Sequence, residues 1–356
     1  MDSDTVARLS ELGWNRHFAE SLAALGDPSL SVGRVGADYG SDFLVHLPWG
    51  TSRADLAQDL RAAGRNIAVG DWVGVRTGGD RAEISVVLDR QSAIRRKTPD
   101  MEVSEQVLAA NVDVVFIATA LDGDFNPRRL ERLLTVAYQS GAAPAVLLTK
   151  ADVGDAEAAL AEAQTVAPGV PVLAISSRRG EGIDSVRQAI GRGRTAVLIG
   201  SSGVGKSTLI NRLVGSERLR TGDVHRSGQG RHVTARRELF VLPGEGVIID
   251  TPGLREIQLW AGEEALDQAF QDVEEIVLGC RFSDCRHEGE PGCAAAAALA
   301  DGTLDPARWA SYRKLQRELR SIEVRADARL QIEERRKWKA LQTAAKNRMA
   351  AKQGPD

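Results

Sequence analysis

The chain has few aromatic residues, few cysteines and no long apolar run. Phe, Trp and Tyr make up 4% of its 356 residues, and only three cysteines are present. No segment approaches the roughly 18 apolar residues of a membrane span, and the start Met1-Asp2-Ser3-Asp4 does not have the form of a signal peptide. An odd number of cysteines fits a metal site better than a disulfide framework. We therefore expect a cytoplasmic protein that does not contact a membrane and acts as a monomer.

Length and composition are those of a globular protein with more than one domain. The chain is 43% apolar and 27% charged, and 356 residues are too many for one ordinary core. Residues 1–30 carry helical spacing and predict a helical extension. Residues 31–95 contain short β-like runs separated by glycine, which predict a small barrel of the oligonucleotide-binding (OB) type. These runs include 43–47, 67–70 and 71–75. A polar, basic stretch begins at Arg95, and the segment 96–110 is interpreted as a linker.

From residue 111 to residue 262, apolar strands alternate with helices. This alternation predicts an α/β domain with a mostly parallel sheet and helices on both faces. A cysteine-containing domain is expected over 263–330 and a basic helical tail over 331–356. The predicted strands of the α/β domain are 112–118, 144–149, 171–175, 195–199 and 247–250, and its predicted helices are 127–139, 155–166, 183–190 and 206–214.

A complete GxxxxGK[ST] phosphate-binding loop (P-loop) follows the predicted strand 195–199. Its residues are Gly200-Ser201-Ser202-Gly203-Val204-Gly205-Lys206-Ser207, with Thr208 next in the helix. Glycines allow backbone N–H groups to point at a polyanion at the positive end of a helix. Lys206 is then expected to reach the β- and γ-phosphates, and Ser207 to bind Mg²⁺. The alternative, a glycine-rich turn without a ligand, fits the strand and helix context less well.

A second phosphate-side motif follows about fifty residues later. The apolar strand Val247-Ile248-Ile249-Asp250 ends in a carboxylate and continues as Thr251-Pro252-Gly253. Alone, Asp-x-x-Gly is an ordinary turn. Behind a P-loop, it predicts that Asp250 lies on the magnesium side of a nucleotide and Gly253 close to the γ-phosphate.

Two segments before the P-loop predict that the base is guanine. In Thr149-Lys150-Ala151-Asp152, an aspartate can accept hydrogen bonds from both N1–H and the 2-amino group of guanine, a donor pair that adenine lacks. Lys150 is expected to pack its stem along the base. Ser176-Ser177, after the next strand, would offer a backbone N–H to the guanine O6. A lone TKxD string is more often an ordinary loop, so the prediction depends on the combination.

The order of these motifs is inverted, because ordinary GTPases place the base-reading segments after the P-loop. With TKAD, GSSGVGKSTLIN, GRHVT, DTPGLRE and the cysteine cluster below, the chain resembles the YjeQ/RsgA family of circularly permuted, ribosome-associated GTPases over nearly its whole length. The resemblance implies that Thr234 is the switch threonine that binds Mg²⁺. The sequence His232-Val233-Thr234-Ala235 departs here from the HTTT that family members tend to have.

The position of a catalytic glutamine in many GTPases, directly after the DxxG glycine, holds Leu254. Leucine cannot orient water, so we expect slow hydrolysis unless a partner completes the site. The family suggests that His232 positions the attacking water, and the alternative is a solvent-exposed loop histidine.

Cys280, Cys285, His287 and Cys293 supply three thiols and one imidazole within fourteen residues. Zinc takes four such ligands tetrahedrally, and a site with no open position is structural. We therefore expect one zinc ion that holds a loop-rich module without a core of its own. The alternative is three buried free cysteines.

Basic residues concentrate near the C-terminus, where residues 311–356 contain thirteen Lys or Arg and six Asp or Glu. From charge alone, a solvated helix is the simpler interpretation. The barrel segment adds scattered arginines, namely Arg53, Arg61, Arg65, Arg76, Arg81, Arg95 and Arg96. With few aromatics for base stacking, contact with phosphates and RNA shape is expected. Given the family resemblance, the expected partner is the small ribosomal subunit and its rRNA.

Three functions are compatible with these motifs. The first is a GTPase that acts in late maturation of the small ribosomal subunit and uses hydrolysis to time its release. The second is an RNA-binding assembly module in which nucleotide sets conformation without productive catalysis. The third, a P-loop ATPase or kinase, is disfavoured by Asp152 and Ser176.

Overall fold

The computed structural model describes residues 2–64, 66–78, 81–97, 105–215, 237–251 and 263–326, with 330 and 332. These form two compact units, one holding described residues 2–97 and 105–251 and the other holding described residues 263–326. None of the described helices is long and apolar enough to cross a membrane.

Two short helices begin the first unit. α1 (Ser3–Glu11) and α2 (Arg16–Ala24) start at the side-chain caps Asp2 and Asn15, each of which accepts a backbone N–H from the first turn. Trp14 and Phe18 lie against Trp72 of the following barrel, with ring centroids 4.8 and 5.6 Å away. The helical extension is therefore part of the barrel's core packing.

A closed five-stranded barrel follows. β1 pairs with β2 and β4, β2 with β3, and β5 with both β3 and β4, so the sheet returns on itself in the manner of an OB fold. A core that includes Val35, Val45, Val73 and Ile84 fills it. The elements are β1 (Ser31–Asp38), β2 (Phe43–Leu47), β3 (Gly50–Leu56), α3 (Gln58–Ala62), β4 (Trp72–Thr77) and β5 (Ala82–Val87).

Two sequence expectations in this region were wrong. Residues 67–70 are not a strand: Ile67, Ala68 and Val69 are buried, but the Ala68 N–H donates to the Asp71 carboxylate and Gly70 turns at φ +94°. The segment interpreted as a linker, residues 96–110, contains the end of β6 (Ala93–Lys97) and all of β7 (Glu105–Ala110), and these two strands pair antiparallel. Buried apolar residues occur in turns as well as in strands, so the apolar run 67–70 did not identify its structure. The charged residues of β6 made that strand look like a polar linker.

The α/β part of the first unit follows the predicted alternation closely. Three helices have the predicted bounds, and the five predicted strands differ from prediction by one or two residues at their ends. The strand over 238–242 was not predicted. The elements are β8 (Val114–Ala120), α4 (Pro127–Gln139), β9 (Ala143–Thr149), α5 (Ala156–Val166), β10 (Val172–Ala174), α6 (Ile183–Ile190), β11 (Arg194–Ile199), α7 (Lys206–Val214), β12 (Glu238–Leu242) and β13 (Gly246–Asp250).

The strand order explains how an inverted chain builds one site. The order is β10-β9-β8-β11-β13-β12, in which all neighbours are parallel except β12 and β13. β11 is thus central, between β8 and β13, and the carboxyl ends of β8, β9, β11 and β13 lie at one edge. Ligands of such sheets bind outside that edge.

A buried arginine joins the extension, the barrel and the α/β sheet. The Arg34 guanidinium on β1 donates to the carbonyl oxygens of Leu12, Gly70 and Asn111 and to the Thr195 hydroxyl on β11. Burial lowers its pKa to about 10, against the opposing effect of nearby carboxylates, so the group stays charged at neutral pH. One guanidinium group therefore donates hydrogen bonds to four acceptors from distant parts of the sequence.

The second unit is helical, with α8 (Glu263–Ala269), α9 (Gln271–Val277), α10 (Ala294–Asp301) and α11 (Pro306–Ala326). Phe270 is fully buried, with Tyr312 5.6 Å away and the Arg308 guanidinium 4.3 Å above its ring. Arg308 also pairs with Asp272 at 2.5 Å. The expectation of a module without a core of its own was therefore wrong, because α11 supplies apolar side chains to it.

Arg34→Met is expected to destabilise the protein by about 3 kcal/mol or more, because several buried oxygens lose their donor together. Arg53→Met, which removes a partly exposed barrel arginine, should cost no more than about 1 kcal/mol. Urea unfolding of both variants measures the difference. Equal unfolding midpoints would contradict the role given to Arg34.

Candidate functional site

The P-loop has the backbone conformation that its glycines predict. Gly203 and Gly205 have φ of +82° and +96°, a region that residues with a Cβ rarely adopt. Gly200 is required for a second reason, since a Cβ there would lie 2.2 Å from the Ala118 carbonyl oxygen. Val204 is buried, whereas Ser202, Gly203 and Thr208 are exposed, and α7 begins directly at Lys206. The loop therefore joins β11 to a helix N-terminus, as phosphate binding requires.

Lys206 lies across its own loop. Its Nζ donates to the carbonyl oxygens of Gly200 and Ser201 at 2.8 and 2.7 Å. The ammonium group is thus held at the mouth of the loop, where it can reach a polyphosphate by exchanging carbonyl acceptors for phosphate oxygens.

Asp250 ends β13, next to the P-loop strand. Burial raises the pKa of its carboxyl to about 6, and the nearby Lys206 ammonium opposes this rise. The adjacent Thr251 is buried and donates its hydroxyl to the Leu198 carbonyl oxygen on β11 at 3.2 Å. A raised carboxyl pKa beside a lysine indicates a site whose charges are incompletely balanced in the protein alone.

Thr149 connects the base-reading segment to the P-loop. Its buried hydroxyl donates to the Val204 carbonyl oxygen at 2.6 Å. This side chain was predicted to be a nucleotide contact, and in the structure it is engaged with backbone instead. It fixes the position of the loop relative to the end of β9.

Asp152 and Ser176, which were each predicted to contact the guanine base, also contact one another. The Ser176 hydroxyl, which is fully buried, donates to the Asp152 carboxylate at 2.7 Å, and this bond lowers the pKa of Asp152. The same serine oxygen accepts the Arg179 N–H at 3.2 Å. Ser177 follows in the turn and is partly buried. The carboxylate is therefore ionised and oriented, as recognition of two N–H donors requires.

Asp122 is a further residue of the site that the sequence motifs do not contain. It lies just beyond the end of β8, and its carboxylate pairs with the Lys150 ammonium at 2.5 Å. The available signal was a carboxylate following a buried strand that neighbours the P-loop strand.

The predicted switch residues His232 and Thr234, together with Gly253 and Leu254, lie outside the described residues. Their assignments stay predictions.

The cysteine cluster of the second unit has the geometry of a metal centre. One ligand atom from each of Cys280, Cys285, His287 and Cys293 lies within 4.8 Å of all the others. His287 Nδ1 is 3.5 Å from the sulfurs of both Cys280 and Cys293. Zinc bonds of roughly 2.3 Å to sulfur and 2.0 Å to nitrogen place tetrahedral ligands about 3.5 Å apart. The four residues therefore fit one tetrahedral metal ion.

The surroundings of the cluster shift the pKa values of its thiols in both directions, and burial raises the pKa of the Cys285 thiol to about 11. Burial acts to raise the pKa of the Cys280 thiol, but N–H groups of Ala295 and Ala294 outweigh it and the net pKa is lowered. Burial lowers the pKa of His287, which favours the neutral imidazole. The Trp309 ring lies edge-on to His287 at 5.4 Å. A thiolate and a neutral, oriented imidazole are the forms that bind zinc.

The barrel arginines are less available than the sequence suggested. Arg53 and Arg81 both pair with Asp42, and Arg76 pairs with Asp27 at 3.1 Å. These carboxylates offset much of the positive charge that was expected to contact phosphates.

The strand order and the motif positions together define a P-loop GTPase fold with a circularly permuted chain. The model of the RsgA GTPase family matches residues 87–260. The protein named small ribosomal subunit biogenesis GTPase RsgA from Opitutus terrae is 44% identical over 94% of this chain and 95% of its own length. Its namesake from Streptomyces avermitilis is also 44% identical, over 96% and 94%. The chain belongs to the RsgA GTPase family.

Solved structures agree with this fold. YjeQ from Thermotoga maritima superposes with a TM-score of 0.62 at 24% identity, over 82% of this chain and 98% of that one. YloQ, described as a circularly permuted GTPase, superposes with a TM-score of 0.59 at 21% identity, over 82% and 96%.

The raised pKa of Asp250 has a testable sign. Because the folded protein binds this proton more tightly than the unfolded chain, the carboxyl contributes less stability as pH rises from about 4 to about 6. At pH 8, without nucleotide or metal ions, the variant Asp250→Asn should therefore melt at a higher temperature than the unmodified protein. Each kcal/mol of burial cost that the substitution removes should raise the melting temperature by about 2–4 °C. The gain should shrink at pH 5. Thermal melts in EDTA at pH 5 and pH 8 measure the difference. If the variant melted at a lower temperature than the unmodified protein at both pH values, burial of the Asp250 carboxylate would not be destabilising.

Proposed function

We propose that the protein hydrolyses GTP during late maturation of the small ribosomal subunit, and that hydrolysis times its release. The observation that carries this function is the convergence of the P-loop, Asp250 and the Asp152–Ser176 pair at one edge of the sheet. Relatives 42–44% identical over most of the chain bear the name of a small ribosomal subunit biogenesis GTPase.

In this function, the phosphates lie against the N–H groups of residues 200–208, and Lys206 neutralises their charge. Asp152 and the backbone after Ser176 read guanine, while Thr149 holds the base segment and the P-loop together. Bound Mg²⁺ would supply charge neutralisation between phosphates. Ser207, Thr234 and the Asp250 side are the residues proposed to hold it, with Gly253 beside the γ-phosphate.

Catalysis is proposed to be slow in the isolated protein. Leu254 offers no group to orient water, so Thr234 and His232 are proposed to carry the switch and water-positioning roles when the partner is bound. This assignment follows the family motif and the absence of glutamine after Gly253.

The metal of the cysteine cluster is proposed to be zinc, since three thiolates and one imidazole form a closed, soft ligand set. The cluster is structural, because no ligand position is left for a substrate. We retain the proposed division into an extension (1–30), barrel (31–95), connecting segment (96–110), GTPase domain (111–262), zinc domain (263–330) and basic tail (331–356). The connecting segment contains the end of β6 and all of β7.

The proposed partner is the small ribosomal subunit, bound through its rRNA by a monomer in the cytoplasm. Since barrel arginines are offset by carboxylates, the basic C-terminal region is the stronger candidate for phosphate contacts. The second candidate function is an assembly module in which nucleotide sets conformation only, and Leu254 favours it.

GTP turnover with and without purified small ribosomal subunits distinguishes the two functions. The proposed GTPase should hydrolyse GTP faster with subunits, by an order of magnitude or more, as partner-completed sites do. Lys206→Ala should remove this stimulated turnover, because the phosphates lose their principal cation. Binding to subunits without any stimulation would contradict the GTPase function and support the assembly module.

Protein purified without added metal should carry about one zinc ion per chain by elemental analysis. Cys285→Ser should lose it and unfold the second unit more easily, since metal binding contributes to folding. Ser283→Ala, an exposed neighbour in the same loop, should retain zinc. Zinc-free wild-type protein would overturn the assignment.

A further inference from the structure

We propose that Asp122 is a positioning residue of the base site, which holds the Lys150 ammonium so that the lysine stem forms a wall for the guanine ring. The inference rests on the proposed GTPase function and adds a residue that the motifs do not contain. Asp122 acts through Lys150 and does not touch the nucleotide.

The sheet places Asp122 beside both nucleotide loops. β8 lies between β9, which leads to Lys150, and β11, which leads to the P-loop. The Leu121 N–H donates to the Thr149 carbonyl oxygen at 3.0 Å. On the other side, a Cβ at Gly154 would lie 2.5 Å from the Leu121 carbonyl oxygen. The loop that carries Asp122 is thus packed directly against the TKxD loop.

This loop is braced independently of Lys150. The Asp124 carboxylate accepts the Thr119 hydroxyl at 3.2 Å and pairs with Arg129 at 2.8 Å. Asn126 then caps α4 by accepting two backbone N–H groups. Asp122 therefore projects from a loop whose own contacts fix it, and it can orient a more flexible partner.

Lys150, the partner of Asp122, has an unusual backbone conformation and a partly exposed side chain. It is one of three non-glycine residues with positive φ among the described residues, at +56°. Backbone strain of this kind concentrates at functional sites. The side chains of Lys150 and Asp122 are 35% and 43% exposed, so their pair contributes little to stability. An exposed ion pair on a strained backbone at the edge of the site is better explained by a role in orienting the Lys150 side chain than by a contribution to the stability of the fold.

The consequence is electrostatic and entropic. Paired with Asp122, the ammonium is held at one end, and the methylene chain can present its apolar side to the base. Without the carboxylate, the stem must be ordered when nucleotide binds, and that ordering costs affinity.

A double-mutant cycle tests this role in the full-length protein with fluorescent GDP and GTP. Asp122→Ala should weaken binding about two- to fivefold, the effect that one exposed ion pair can supply. In a Lys150→Ala background, the same change should have no further effect. The loss should be equal for GDP and GTP, because both carry the same base. Asp184→Ala, which removes an exposed carboxylate of α6 in the same unit, should bind both nucleotides normally.

An unchanged affinity, an equal loss in both backgrounds or a loss confined to GTP would each overturn the inference. Asp152→Asn separates this failure from failure of the proposed function. An amide offers a donor to the 2-oxo group of xanthine, so this variant should prefer xanthosine diphosphate to GDP. If that switch occurs while Asp122 and Lys150 show no coupling, only the inference is overturned. If the unmodified protein does not prefer GDP to ADP, both are overturned.

Discussion

The parallel pairing of β8, β9, β11 and β13 is the constraint on which the candidate site depends. Parallel neighbours bring their carboxyl ends to one edge, so every loop that follows these strands faces the same ligand. The spatial order of the strands in the sheet, which differs from their order along the chain, decides which loops lie side by side. An α/β domain whose first strand is β8, and which reaches the P-loop only after β11, therefore builds the arrangement of base, phosphate and magnesium-side residues that its motifs predict.

Much of the site could be predicted from sequence because its chemistry is local. The P-loop, Asp250 and the Asp152–Ser176 pair each follow an apolar strand, and α4, α6 and α7 have the predicted bounds. The contacts of Arg34 and Asp122 could not be predicted, since their partners are distant in sequence, and for Asp122 only its place after a buried strand was visible. Residues 67–70 were taken for a strand because burial and glycine spacing are shared by turns and strands.

The two units rely on different kinds of stabilisation. In the first, apolar cores fill the barrel and the sheet, and Arg34 satisfies acceptors from three segments with one guanidinium. In the second, a helical core around Phe270 is combined with a four-ligand cluster that suits a closed metal site. A metal ion bound by this cluster would stabilise the loop between α9 and α10.

The central claim is that the permuted chain forms one guanine-specific nucleotide site. Calorimetric titration of the full-length protein with GDP and with ADP, both with Mg²⁺, tests it most directly. The account predicts one GDP site per chain and at least a hundredfold weaker ADP binding, about 2.7 kcal/mol, because adenine cannot offer Asp152 two donors. Equal affinity for the two nucleotides would contradict it.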